Sequence, residues 1–132
     1  MSTTLKMDYD FKKGFKKFLE RMSTAYFLLE LNPLSCKVFS TKHGYHVYVT
    51  VVEDLNNLEL VCVQAILGSD FKRECFNFNR VKFNPLGFKS DWNVLFNKKW
   101  NHLGELISKE VFDKSLTNWY WNHVLSKLYC KG

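Results

Sequence analysis

The sequence predicts an α+β domain: a small, mainly antiparallel sheet with helices packed on one face. Three observations carry the prediction. Residues 45–52 alternate apolar and polar with β-branched side chains, as a half-buried strand does. Phe11, Phe15, Phe18, Leu19 and Met22 recur at helical spacing, as do Phe112, Leu116, Tyr120, Val124 and Leu128. The chain of 132 residues has no repeat or linker, so the elements belong to one domain, 1–132.

Taken in order, Asp8 or Asp10 caps the first helix, whose remaining positions hold Lys12, Lys13, Lys16, Lys17 and Arg21. AlaTyrPheLeuLeuGluLeuAsn, 25–32, is short, apolar and β-prone, and Pro33 stops it. A second strand begins at Cys36, and Gly44 turns it into a third over Tyr45 to Val52. AspLeuAsnAsn, 54–57, caps a helix reaching about Leu67, with Gly68 as terminator; its apolar residues surround most of the circumference, so it packs across the back of the sheet. Arg73 to Phe83 reads as a strand, 84–91 as a loop and 92–96 as another strand. From about Asn101 the pattern is helical, broken near Ser108. Trp119, Trp121 and Tyr129 widen its final stripe, which either covers the sheet or meets a partner; burial is the expectation.

With 46% hydrophobic residues and two prolines, the composition is that of a folded globule. No apolar run approaches the ~20 residues of a membrane span, and the first ten residues lack the apolar core of a signal peptide, so an intracellular protein without membrane contact is expected. The cysteines, at 36, 62, 75 and 130, form no CxxC pair and signal neither zinc nor redox chemistry; no cofactor is expected. A net charge of +6 and 17% aromatic residues favour a polyanion, DNA or RNA, with single strands preferred.

Strand alternation places Tyr45, Val47, Val49 and Val51 toward the core and His46, Tyr48 and Thr50 on the opposite face. Were 25–32 a neighbouring strand, Glu30, Asn32 and His46 would share a surface able to bind a metal ion or orient a phosphate, although Glu30 alone is a poor carboxylate supply for two-metal chemistry. On a regular strand Phe76, Phe78, Arg80 and Lys82 would align rings beside cations, as a single strand requires; Phe76 and Phe78 could equally be core. No P-loop, nucleophile elbow, Rossmann fingerprint or zinc-protease helix occurs.

The string SerThrLysHisGlyTyrHisValTyrVal, 40–49, resembles the Ser…Gly-Tyr-His-hydrophobic signature of primase-like replication proteins of the archaeo-eukaryotic type and of small relatives carried by archaeal viruses and plasmids. LeuGlySerAspPheLysArg at 67–73, AsnArg at 79–80 and AsnValLeuPheAsnLysLys at 93–99 resemble the same relatives, over roughly residues 26–99. The resemblance implies an RRM-like primase core with nucleotide-contacting residues at Ser40 and His46. The family's metal-binding Asp-x-Asp has as its nearest counterpart GluLeuAsn, 30–32, which lacks the second carboxylate, so binding is expected rather than catalysis, and no catalytic or metal-binding residue is assigned.

The expected function is therefore that of a nucleic-acid-binding accessory protein of replication or of a mobile genetic element, a viral one by the resemblance. Its contacts would be Ser40, Lys42, His46, Tyr48, Arg73, Arg80 and Lys98, with Lys12, Lys13, Lys16 and Lys17 extending the track. Two alternatives stand beside it. One is a protein-interaction module, a viral inhibitor or virion component, using the aromatic C-terminal helix for a partner or a homodimer. The other is a metal-dependent nuclease or nucleotidyl-transfer enzyme using Glu30 and His46.

Overall fold

The computed structural model describes residues 2–83, 92–95, 98–100 and 102–130. Its elements run β1 (Thr3–Tyr9), α1 (Phe15–Leu28), β2 (Pro33–Ser40), β3 (Tyr45–Val51), α2 (Asn57–Ile66), α3 (Phe71–Phe83), β4 (Lys98–Trp100), β5 (Leu106–Lys109), β6 (Val111–Phe112) and α4 (Lys114–Tyr120). A π-helical turn, Trp121–Leu125, and a 3₁₀ turn, Ser126–Cys130, continue α4. The predicted α+β class holds.

The main sheet has the order β1-β3-β2-β6 with every neighbouring pair antiparallel, and β4 and β5 form a separate pair. Because β3 opposes both β1 and β2, those two run parallel with β3 between them, joined through α1: a split βαβ unit. Its core face is built by period-two alternation. Leu5, Met7 and Tyr9 from β1, Val47, Val49 and Val51 from β3 and Val38 from β2 are buried against Phe15, Leu19 and Tyr26 of α1 and against Leu116, Tyr120, Val124 and Leu125 at the C-terminal end.

Four expectations are corrected. Residues 3–9 form a strand rather than helix-capping coil, because Leu5, Met7 and Tyr9 alternate with Lys6 and Asp8. Residues 25–28 are helical: Tyr26 continues the Phe15–Leu19 stripe one heptad on, and the chain leaves α1 through Glu30, whose φ is 56°. Residues 106–109 and 111–112 are strands, not helix. Residues 71–83 form a helix, not a strand.

That helix, α3, is inside out. Glu74 and Asn77, 3% and 1% exposed, face inward with Val81, while Phe76, 64% exposed, and Phe71 and Phe78 face outward. Its spacing is helical, but the buried positions are polar, which is why the phenylalanine alternation imitates a strand. The proposed strand at 92–96 has no regular structure over 92–95, and residue 96 and the expected loop at 84–91 lie outside the described residues.

The α2 prediction holds for its bounds, cap and terminator, whereas Leu58 and Ile66, two of the apolar residues expected to be buried, are exposed. Asn56 Oδ1 accepts the Glu59 N–H at 2.8 Å while Glu59 Oε1 accepts the Asn56 N–H at 3.0 Å, a reciprocal capping box. Gly68, at φ 85°, ends the helix in a conformation that side chains resist.

The edge of β1 is closed by the α2–α3 unit. Lys6 N–H donates to Gln64 Oε1 at 3.0 Å and Lys6 C=O accepts from Arg73 Nη1 at 2.8 Å; Asp8 N–H donates to Ser69 Oγ at 3.0 Å and Asp8 C=O accepts from Asp70 N–H at 2.7 Å. Every outward backbone group at Lys6 and Asp8 is thereby satisfied.

The three core tyrosines give the fold a pH limit. Burial, then neighbouring phenols, pushes Tyr9 and Tyr120 well above the ordinary range; burial raises Tyr26 as well, against the lowering effect of its contact with the Tyr120 hydroxyl. The unfolded chain ionises its phenols near pH 10 while the folded chain keeps these three protonated, so their contribution is complete below pH ~10 and is lost as pH rises beyond it. Alkaline titration is expected to show tyrosinate absorbance and loss of ellipticity rising together above pH ~10. Full ionisation of every tyrosine before any loss of structure would contradict the burial.

Candidate nucleic-acid interface

The face of the sheet opposite the core is crossed by three rows, set by strand register. Asp8, His46, Phe39 and Phe112 form the first, Lys6, Tyr48 and Lys37 the second, and Thr4, Thr50 and Ser35 the third. Lys37, Ser35, Thr4 and Phe112 are exposed, and Lys6, Phe39, Tyr48 and Thr50 are half-buried. Phe39 stands at the centre, edge-to-face with Tyr48 at 5.4 Å and tilted against Phe112 at 5.4 Å, so three rings from β6, β2 and β3 lie together.

Glu110, just ahead of β6, reaches over this face. Its Oε2 lies 2.7 Å from His46 Nδ1 and accepts from the Tyr48 hydroxyl at 3.4 Å. The other ring nitrogen of His46 is 3.6 Å from Asp8 Oδ1. His46, 5% exposed, is thus fixed between two carboxylates supplied by β1 and by the segment before β6. Burial first, then Glu110, pushes the Tyr48 phenol up to about 12, so at neutral pH it remains a donor. Thr4, Ser35, Cys36, Lys37, Phe39, Tyr48, Thr50 and Glu110 line an open depression of about 390 Å³.

The alternation of β3 is as the sequence predicts, but the expected companions of His46 are not. Pro33 pairs with Val51 at the far end of the sheet, five residues from His46, or roughly 17 Å at 3.3 Å per residue. Asn32 donates there, through its backbone and side-chain nitrogens, to the Glu53 carboxylate at 2.7 and 2.8 Å. Burial raises the Glu53 carboxyl, and these two donors outweigh it and hold it below its usual range. Glu30, Asn32 and His46 therefore do not converge. The acidic partners are Asp8 and Glu110, which sequence reasoning missed. Asp8-Tyr9-Asp10 is itself an Asp-x-Asp pair ahead of Ser40, and it was the readable signal; Glu110, 64 residues from its histidine, had none. Among the described residues no three His, Cys, Asp or Glu side chains are grouped to hold a metal ion, so this donor set does not support metal chemistry at His46.

The remaining predicted contacts fall into three places. Ser40 meets Lys12, whose Nζ donates to Ser40 Oγ at 2.9 Å and stands 5.4 Å over the Tyr45 ring. Lys16 stands 5.0 Å over Trp119, itself stacked on His123, while Lys13, Lys17 and Lys42 are exposed. Lys12 thus makes a cation–aromatic contact beside the β2–β3 turn, and Lys16 makes a second one on α4. Lys98 is exposed on the β4–β5 pair.

Arg73 and Arg80 have structural partners. Arg73 bonds Glu74 and donates to Asn93 Oδ1 at 2.8 Å and Val94 O at 3.2 Å, besides Lys6; Arg80 donates to Asn77 Oδ1 at 3.3 Å. Gln64 Nε2 donates to Glu74 and Asn93, each at 3.0 Å, completing a buried polar network. Arg73, Arg80, Asn93 and Val94, from the three downstream strings, take part in these bonds.

Along the C-terminal stripe, Tyr120 is buried and Trp119 and Trp121 pack half-buried against the core. No helix among the described residues is long and apolar enough to cross a membrane. No family model matches the chain, and neither the curated proteins nor the solved structures provide a match.

Proposed function

We propose that this chain binds single-stranded DNA or RNA across the open face of its sheet. The observation that carries this reading is the cluster Phe112–Phe39–Tyr48, three rings on adjacent strands, flanked by Lys37 and Lys6. Exposed rings accept stacked bases of any sequence, and flanking ammonium groups meet the phosphates between them. The net charge of +6, to which the exposed Lys12, Lys13, Lys16, Lys17 and Lys42 contribute, favours a polyanion as the partner. The primase-like string around His46 supports a setting in replication of a mobile genetic element.

Fluorescence anisotropy with a labelled thymine tract tests the reading. Affinity is expected to fall as salt rises, with a log–log slope of about −0.7 per phosphate neutralised. Phe39→Ala and Tyr48→Ala should each weaken binding by about 1–3 kcal/mol for the lost stacking. Binding indifferent to salt, or unchanged in both ring variants, would sink the assignment to this face. Absence of any strand binding together with stable self-association would favour the protein-interaction reading instead, with the outward phenylalanines of α3, not the packed C-terminal helix, as its surface.

A further inference from the structure

We propose that Glu110 is a base-reading residue: it receives the N1–H and N2–H donors of a guanine stacked in the depression beside Phe39 and Tyr48. The proposal rests on the reading of this face as a single-strand surface and adds a preference for one base.

Both hydrogen bonds to Glu110 fall on Oε2, from His46 and from Tyr48, and Oε1 accepts nothing among the described residues. The carboxylate is largely withdrawn from water, its side chain 13% exposed, yet it lines an open depression. A carboxylate in that position is a strong acceptor held in one orientation, and an unfilled oxygen on it is complementary to a ligand that brings N–H groups. The fixing is doubled from behind, because His46 is itself held on its far side by Asp8.

The rest of the lining narrows the class. Phe39 and Tyr48, set edge-to-face, each give an aromatic contact to which a planar ring can pack. Lys37 lies in the same lining and opposes a cationic ligand such as an arginine or amine, while it favours a ligand that is anionic elsewhere. A volume of about 390 Å³ is within the range of small-ligand sites. A nucleotide within a strand meets all three conditions: ring, edge donors and phosphate.

Among the bases, guanine alone presents two adjacent donors, N1–H and the 2-amino group, to one acceptor. Adenine and cytosine set a lone-pair nitrogen beside their amino group, which faces the carboxylate with like charge density. Thymine and uracil flank their single N–H with two carbonyls. Guanine is therefore the base that Oε1 selects.

The test compares thymine tracts carrying one central guanine, inosine or adenine, by anisotropy at fixed salt. Inosine keeps N1–H and lacks the 2-amino group, so it isolates the second donor without altering the protein. The guanine tract is expected to bind about tenfold more tightly than the inosine and adenine tracts. In Glu110→Ala, which removes both carboxylate oxygens, the guanine-to-inosine ratio should fall to near one. Equal affinity for guanine and inosine, with salt-dependent binding of the plain thymine tract intact, overturns the base-reading role and leaves the strand-binding reading standing. A guanine preference that persists in Glu110→Ala overturns the assignment to Glu110. Failure of every tract to bind overturns both.

Discussion

Glu74→Ala is expected to lower the stability of the fold by about 3–5 kcal/mol, the range for breaking a buried ion pair from one side. Glu74 is 3% exposed, and its carboxylate accepts from Arg73, from Gln64 Nε2 at 3.0 Å and from Asn77 Nδ2 at 3.1 Å. Removing it leaves a guanidinium that is itself largely buried without its anion, and one N–H of each of the Gln64 and Asn77 amides without its acceptor. The loss is amplified because Arg73 also bonds the backbone oxygens of Lys6 and Val94, so a displaced guanidinium loosens the β1 edge and the segment around Asn93 together. Urea unfolding monitored by ellipticity measures the change, with the solvent-exposed Lys17→Ala as a control near zero. A cost for Glu74→Ala below about 1 kcal/mol would show that water enters the network and that it does not hold the fold.

Gly44→Ala is the second severe substitution, expected to cost about 3 kcal/mol or more, beyond the usual overpacking penalty. A Cβ at this position would stand 1.8 Å from the Tyr9 carbonyl oxygen, 2.8 Å from its carbon and 2.9 Å from the Phe11 nitrogen. All three are backbone atoms at the junction of β1 with the approach to α1, so no side-chain rotation relieves the contact. Either the β2–β3 turn opens, breaking the Thr41 N–H to Gly44 O bond of 2.9 Å, or β1 shifts and carries Asp8 away from His46. Thermal melting of Gly44→Ala beside Lys42→Ala, an exposed residue of the same turn, measures the effect. A melting temperature equal to that of the control would contradict the close approach.

The legibility of the fold in the sequence followed the strength of local chemistry. The β2–β3 hairpin and α2 were readable because Gly44, the valine alternation and the Asn56–Glu59 box act within a few residues. β1 carried an equally regular alternation, obscured because Asp8 and Asp10 also suit a helix cap. The continuation of α1 through Tyr26 lay in the seven-residue interval from Leu19, against the β propensity of 25–32. α3 resisted for a different reason: its partners are the polar atoms of Gln64 and Asn93, and tertiary hydrogen bonding replaced the apolar stripe that periodicity detects. The site was half legible. The face of His46 and Tyr48 came from strand parity alone, whereas Phe112 and Glu110 reach it through pairings that no short window contains.

The closure of the β1 edge also bears on self-association. A sheet with two open edges can add strands without limit and grow into fibres, whereas one open edge is used up by a single isologous pairing. At Lys6 and Asp8 this sheet offers an incoming strand no vacant hydrogen-bonding group, since Gln64, Ser69, Asp70 and Arg73 occupy those places. Among the described residues the opposite side is bounded by the two residues of β6 and by Thr117 and Asp113 at Val38. An incoming strand therefore finds the backbone groups of Lys6 and Asp8 already bonded, and β1 resists edge addition over that stretch.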